Sequence, residues 1–135
     1  MNIEYTSQRG EQKWRHDIEV RLMGTPMVRL KGEEVSFPYQ KVEGLFYYLC
    51  VNNQITRNQA IGVLWADSSE ATARKNLRDA LYNIRKVLGQ DILIIEGNSR
   101  IALNRERDIC IDVDQDTRAN LLERVKGEFL QFFYV

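Results

Sequence analysis

The sequence predicts an α+β domain in which a small antiparallel sheet is followed by three helices and a β-hairpin. Three observations predict it. Short alternating runs separated by glycine turns open the chain. The apolar period then lengthens to that of a helix from about residue 40 to residue 88. After Gly89 it returns to two, on either side of a second glycine turn.

Residues 1–16 are polar and aperiodic, and read as a flexible arm or linker. Ile18-Glu19-Val20-Arg21-Leu22 alternates strictly and stops at Gly24-Thr25-Pro26. Met27-Val28-Arg29-Leu30 and Val35-Ser36-Phe37 complete a three-stranded meander, with Pro38 as its end. Val42, Leu45, Phe46 and Leu49 then predict an amphipathic helix over about residues 40–51, ended by Asn52-Asn53. Thr56 and Gln59 stand at capping-box spacing before a short helix with Ala60, Ile61, Leu64 and Trp65 on its inner face. Either Ser68 or Ser69 can cap the third helix, Glu70 to Leu88, with Gly89 as its C-terminal stop. Ala73, Leu77, Leu81, Ile84 and Leu88 form its apolar stripe.

Beyond it, Ile92–Ile95 and Arg100–Leu103 pair around a tip at Gly97-Asn98-Ser99, and Ile109–Val113 is a candidate further edge. A last helix is expected from Thr117 to Val135. Its Leu121, Leu122, Val125, Phe129, Phe132 and Phe133 are too apolar to stand bare in water, so docking on the domain, pairing with a second copy, or a partner domain is expected. The boundaries are therefore an arm at 1–16, one domain at 17–114 and a C-terminal helix at 115–135.

The 19 basic and 19 acidic residues cancel, so no global field draws the chain toward a polyanion. Locally they separate. Ala71–Gly89 holds five bases against Asp79, whereas residues 104–128 hold seven acids against five bases. The opening residues Met1–Tyr5 have no apolar core, so no secretory leader is expected, and no apolar run approaches the ~20 residues of a bilayer span. Cys50 and Cys110 sit among apolar neighbours and are expected to be buried thiols in a reducing cytoplasm. One histidine, His16, supports no nucleophile–base arrangement, and neither a Gly-rich phosphate loop nor a Cys-x-x-Cys pair occurs, so no enzyme, cofactor or metal is expected. Asp112, Asp114 and Asp116 alternate but lack the loop that a calcium site needs.

The third helix carries the functional signal. Its outward face offers Lys75, Arg78, Asp79, Tyr82 and Asn83 to the edges of bases, where Arg and Asn can hydrogen-bond and a carboxylate can accept from cytosine N4. Arg74, Arg85 and Lys86 suit phosphates. A solvated charged face is the plainer account, with Asp79 then an (i, i+4) partner for Lys75 or Asn83. Asn98, Ser99 and Arg100 at the hairpin tip either reach the minor groove or form an ordinary turn. Tyr47, Tyr48 and Trp65 read as packing residues.

This order of elements is that of a winged helix-turn-helix, and it resembles the DNA-binding domain of OmpR/PhoB-type response regulators. Leu22-Met23-Gly24 through Val35-Ser36-Phe37-Pro38, Ile55-Thr56-Arg57 through Leu64-Trp65-Ala66-Asp67, and Asn76-Leu77-Arg78 through Leu88-Gly89 are similar to SARP/AfsR-type bacterial transcriptional regulators. Ile111-Asp112-Val113-Asp114 resembles that family's exit from the domain, and Lys126–Leu130 with Phe133-Tyr134-Val135 resembles the start of its helical-repeat activator domain. The likeness covers residues ~18–114 well and the tail in part. It implies sequence-specific binding to double-stranded DNA, transcription regulation in a bacterial cytoplasm, tandem sites holding two or more copies, and RNA polymerase as a partner. A winged helix used as a protein-interaction or dimerisation module stands as the alternative.

Overall fold

The computed structural model describes residues 15–97 and 99–112. They form a mixed α+β unit of three α-helices and two sheets. In chain order the elements are β1 (Ile18–Arg21), β2 (Met27–Leu30), β3 (Glu33–Val35), α1 (Gln40–Asn52), β4 (Gln54–Thr56), α2 (Arg57–Leu64), α3 (Glu70–Leu88), a 3-10 turn at Gln90–Ile92, β5 (Leu93–Glu96), β6 (Arg100–Leu103) and β7 (Ile109–Ile111). The expected helix at 115–135 and the arm up to residue 14 lie outside the described residues.

The first sheet has the order β3-β2-β1-β7, the second β4-β6-β5. All neighbours are antiparallel except β1 and β7, which run parallel with Ile18 opposite Ile109. Thus the candidate edge strand becomes the outer strand of the N-terminal sheet. Asp108 and Asp112 hold it there. The Asp108 carboxylate accepts from the Asp17 amide at 3.1 Å, and Asp112 accepts from the Leu22 and Met23 amides at 2.9 and 3.1 Å.

Three boundaries differ from expectation. β3 begins at Glu33, because Lys31 and Gly32 both take positive φ (51° and 85°) and close a two-residue hairpin directly after Leu30. Phe37 is released from the strand and packs on Phe46, ring centroids 5.7 Å apart. Ile92 belongs to the 3-10 turn that follows Gly89, so β5 starts one residue later. β4 was not anticipated: three residues carry too little period, and the strand exists because Ile55 pairs with distant Ile101. Asn53, in a positive-φ conformation (φ 69°) that Asn tolerates, ends α1 and starts β4, and its carbonyl accepts from Leu103 N at 3.1 Å.

One apolar core joins all these elements. Ile18, Val20 and Val28 of the first sheet, Leu45, Phe46, Tyr47 and Leu49 of α1, Leu64 of α2, Leu77, Ile84 and Leu88 of α3, and Ile101 of β6 are all buried. Tyr47 and Tyr48 of α1 and Trp65, just past α2, are buried as well, as expected of packing residues. Tyr47 Oη donates to Glu43 at 2.9 Å, and burial, then the Glu43 charge, push its phenol pKa up. The cysteines divide. Cys50 is buried, but Cys110 is exposed, because its side chain points to the outer face of an edge strand. The expectation of two buried thiols fails at Cys110 for that reason.

Candidate nucleic-acid interface

Local chemistry fixes the two helices that matter. At the start of α2, Gln59 N donates to Thr56 Oγ1 at 3.0 Å and Thr56 N donates to Gln59 Oε1 at 2.8 Å, the reciprocal pair its sequence predicts. α3 starts at Ser69, whose Oγ accepts from Thr72 N at 3.3 Å, and stops at Gly89, which takes a φ of 116°. Its inward stripe of Ala73, Leu77, Ala80, Leu81, Ile84 and Leu88 is buried, which leaves the charged faces outward.

Strand pairing then brings the hairpin tip to the helices. Because Thr56 of β4 lies opposite Arg100 of β6, the tip sits beside the first turn of α2, and Arg57 N donates to Ser99 O at 2.7 Å. α3 packs against α2 along the same side. The junction of the three elements is an open groove of about 550 Å³ lined by Thr56, Arg57, Asn58, Ile61, Arg74, Leu77, Arg78 and Ser99. Three guanidinium-bearing residues line it and no acidic residue does. An anionic chain entering here would meet arginine donors, the Ser99 and Thr56 hydroxyls and the Asn58 amide.

The residues singled out from the sequence fall into distinct places. Arg74, Arg78 and Ser99 line the groove. Arg74 is also bonded to Glu70 one turn earlier. Lys75 and Asp79 are exposed and paired with each other at 3.2 Å. Asn83 turns its amide back to donate to the Asp79 carbonyl at 2.8 Å. Tyr82 stands out from the helix, 61% exposed. Lys86 is exposed, whereas Arg85 is half-buried and its Nε meets no acceptor among the described residues. Arg100 is exposed at the head of β6, opposite Glu96. Asn98 lies outside the described residues.

Arg57 and Asn58 were not anticipated. Their positions in the first turn of α2 were legible from the capping box, but their proximity to the hairpin tip depends on β4, the strand that left no periodic signal.

The far end of α3 is held differently. Arg107, its side chain 16% exposed, donates to Asp17 at 2.8 Å, to Asp91 at 2.7 Å and to the Leu88 carbonyl at 2.9 Å. Partial burial acts to raise the Asp17 pKa, but the Arg107 hydrogen bond and the Lys31 charge outweigh it and hold the carboxyl below its ordinary value. The same contacts raise the Arg107 pKa against its own burial. Thus one guanidinium ties the last turn of α3 to the start of β1.

Among the described residues, no group of three or more His, Cys, Asp or Glu side chains converges to hold a metal ion. No helix among them is long and apolar enough to cross a membrane. Compared with protein-family models and with curated proteins, the chain matches none of them.

Proposed function

We propose that this domain is a winged helix-turn-helix that binds double-stranded DNA sequence-specifically and regulates transcription, with α3 entering the major groove. The element order supports the reading. α2 and α3 stand as the two helices of the turn, and the β5–β6 hairpin, tied by β4 to the start of α2, stands as the wing. The resemblance to OmpR/PhoB-type and SARP-type regulators points the same way. It adds a bacterial cytoplasm, a second copy on tandem sites and RNA polymerase as proposed surroundings.

One observation carries the reading: Arg57, Arg74 and Arg78 gather in a single groove whose lining includes no acid. Glu70 offsets the Arg74 charge, but the like charges of Arg57 and Arg78 repel, and a phosphodiester strand would relieve that repulsion. A merely solvated helix face accounts for Arg74 and Arg78 but not for Arg57, which a different helix and a distant hairpin bring to them.

The test is a gel-shift titration on random-sequence duplex DNA from about 50 to 200 mM salt, the range over which a phosphate-contacting protein loses affinity steeply. Binding at low salt is expected. The log–log salt slope should flatten by roughly two units in an Arg57→Ala/Arg74→Ala double variant, at ~0.9 per phosphate contact. Absence of any binding at low salt would refute DNA binding and favour the protein-interaction role.

A further inference from the structure

We infer that α3 reads bases with only one of its two flanks. The edge carrying Arg78 and Tyr82 recognises a guanine and, one or two base pairs away, the methyl group of a thymine, while the flank carrying Asp79 and Asn83 touches no base. This rests on the DNA-binding reading above and assigns its specificity.

The groove decides the flank. Arg74 and Arg78 face the start of α2 and the hairpin tip, so the DNA side of α3 is the side that those elements border. At ~100° per residue, Tyr82 lies about 40° around the helix from Arg78 and remains on that side. From the same Arg78, Asp79 and Asn83 lie about 100° and 140° around, further toward the opposite flank. Their chemistry is already engaged there. The Asp79 carboxylate pairs with Lys75, and the Asn83 amide donates to the Asp79 carbonyl. Arg78, by contrast, has no hydrogen-bond or ion-pair partner among the described residues, and Tyr82 offers an exposed ring.

The ligand follows from these two side chains. A guanidinium matches the adjacent O6 and N7 acceptors of guanine as a bidentate donor. The thymine C5-methyl is the apolar group on the major-groove edge, and an aromatic ring left 61% exposed is suited to pack on it. Arg78 and Tyr82 are four residues apart, ~6 Å along the helix axis at ~1.5 Å per residue. With base pairs ~3.4 Å apart, the two contacts fall one or two steps from each other.

The experiment is selection of bound sequences from a random duplex library by wild-type protein, Arg78→Ala, Tyr82→Ala and an Asp79→Ala/Asn83→Ala double variant. Affinities are then measured on the selected site and on that site with its thymines replaced by uracil. The wild type should select a motif containing guanine with a thymine one or two pairs away. Arg78→Ala should lose the guanine preference by roughly 10- to 100-fold. Removing the thymine methyl should weaken wild-type binding about fourfold, the effect of one buried methyl, and leave Tyr82→Ala unchanged. The double variant should select the wild-type motif. All these side chains are exposed or half-buried, and the uracil arm uses unaltered protein, so loss of folding cannot produce the pattern. A motif rewritten by the Asp79/Asn83 variant, a guanine preference that survives Arg78→Ala, or duplex binding without base preference overturns this inference and leaves DNA binding standing. Failure to bind random duplex at low salt overturns the DNA-binding reading itself.

Discussion

Replacing Arg107 by Ala should loosen the C-terminal end of α3 and cost the fold a large part of its stability. The Arg107–Asp17 bond joins two mostly buried charges, 16% and 24% exposed, so its charge-assisted hydrogen bond contributes ~1.5–3 kcal/mol. Asp91 is 67% exposed, and solvent screening limits that pair to ~0–1 kcal/mol. The bond to the Leu88 carbonyl adds about 1 kcal/mol. Lys31 stays 3.4 Å from Asp17 and takes up part of the loss. The expected cost is therefore about 2–4 kcal/mol, against a total of ~5–15 kcal/mol for a domain. Urea denaturation followed by circular dichroism measures it.

The pH dependence is a second check on the same pair. A carboxyl whose folded pKa is depressed contributes stability that is present above its unfolded value, near 3.8, and is lost as pH falls through the lower folded value. The gap between wild type and Arg107→Ala should thus be full at neutral pH and shrink below about pH 4. A cost under about 1 kcal/mol at pH 7, or a gap that is the same at pH 3, would refute the proposed anchoring of α3.

Three further outcomes are expected. Gly89→Ala should destabilise by about 1–3 kcal/mol in the same assay, because φ is 116° there and a Cβ would stand 2.9 Å from an Arg107 nitrogen. Thr56→Ala should cost ~0.5–2 kcal/mol through loss of the α2 cap, and should also weaken DNA binding, because Arg57 follows the cap directly. In a thiol-reagent titration, Cys110 should react in the native state and Cys50 only on unfolding. Burial, then the charges of Glu19, Asp108 and Asp112, raise the Cys110 pKa, so its reaction should be slow at neutral pH and accelerate as pH rises. Equal reactivity of both thiols in folded protein would contradict the packing of α1.

Much of the fold was legible because its signals are local. The Thr56–Gln59 box and the Gly89 stop bound α2 and α3 at the residues expected, and Ser69, one of the two serines able to cap α3, takes that place, since each is decided by groups a few positions apart. The buried stripe from Ala73 to Leu88 followed from period alone. What period misses is strand pairing between distant segments. β4 and the parallel β1–β7 contact each depend on a partner strand more than 40 residues away in sequence. The start of β3 turned on the backbone of Lys31 and Gly32, a turn whose register shifts the strand by two residues.

The candidate site divides along the same line. The sequence by itself determined that α3 is a long helix, apolar inward and basic outward, because helical geometry maps residue spacing directly onto faces. It could not decide which outward residues share a groove with other elements, since a helix wheel has no neighbours. Only the tertiary structure decided that: β4 pairs with β6, the hairpin tip meets the first turn of α2, and Arg57 joins Arg74 and Arg78 in one groove whose lining does not include Asp79 or Asn83. The physical reason is that a binding surface is formed by groups close in space, and the hydrogen bonds of a three-residue strand set that closeness without marking the sequence.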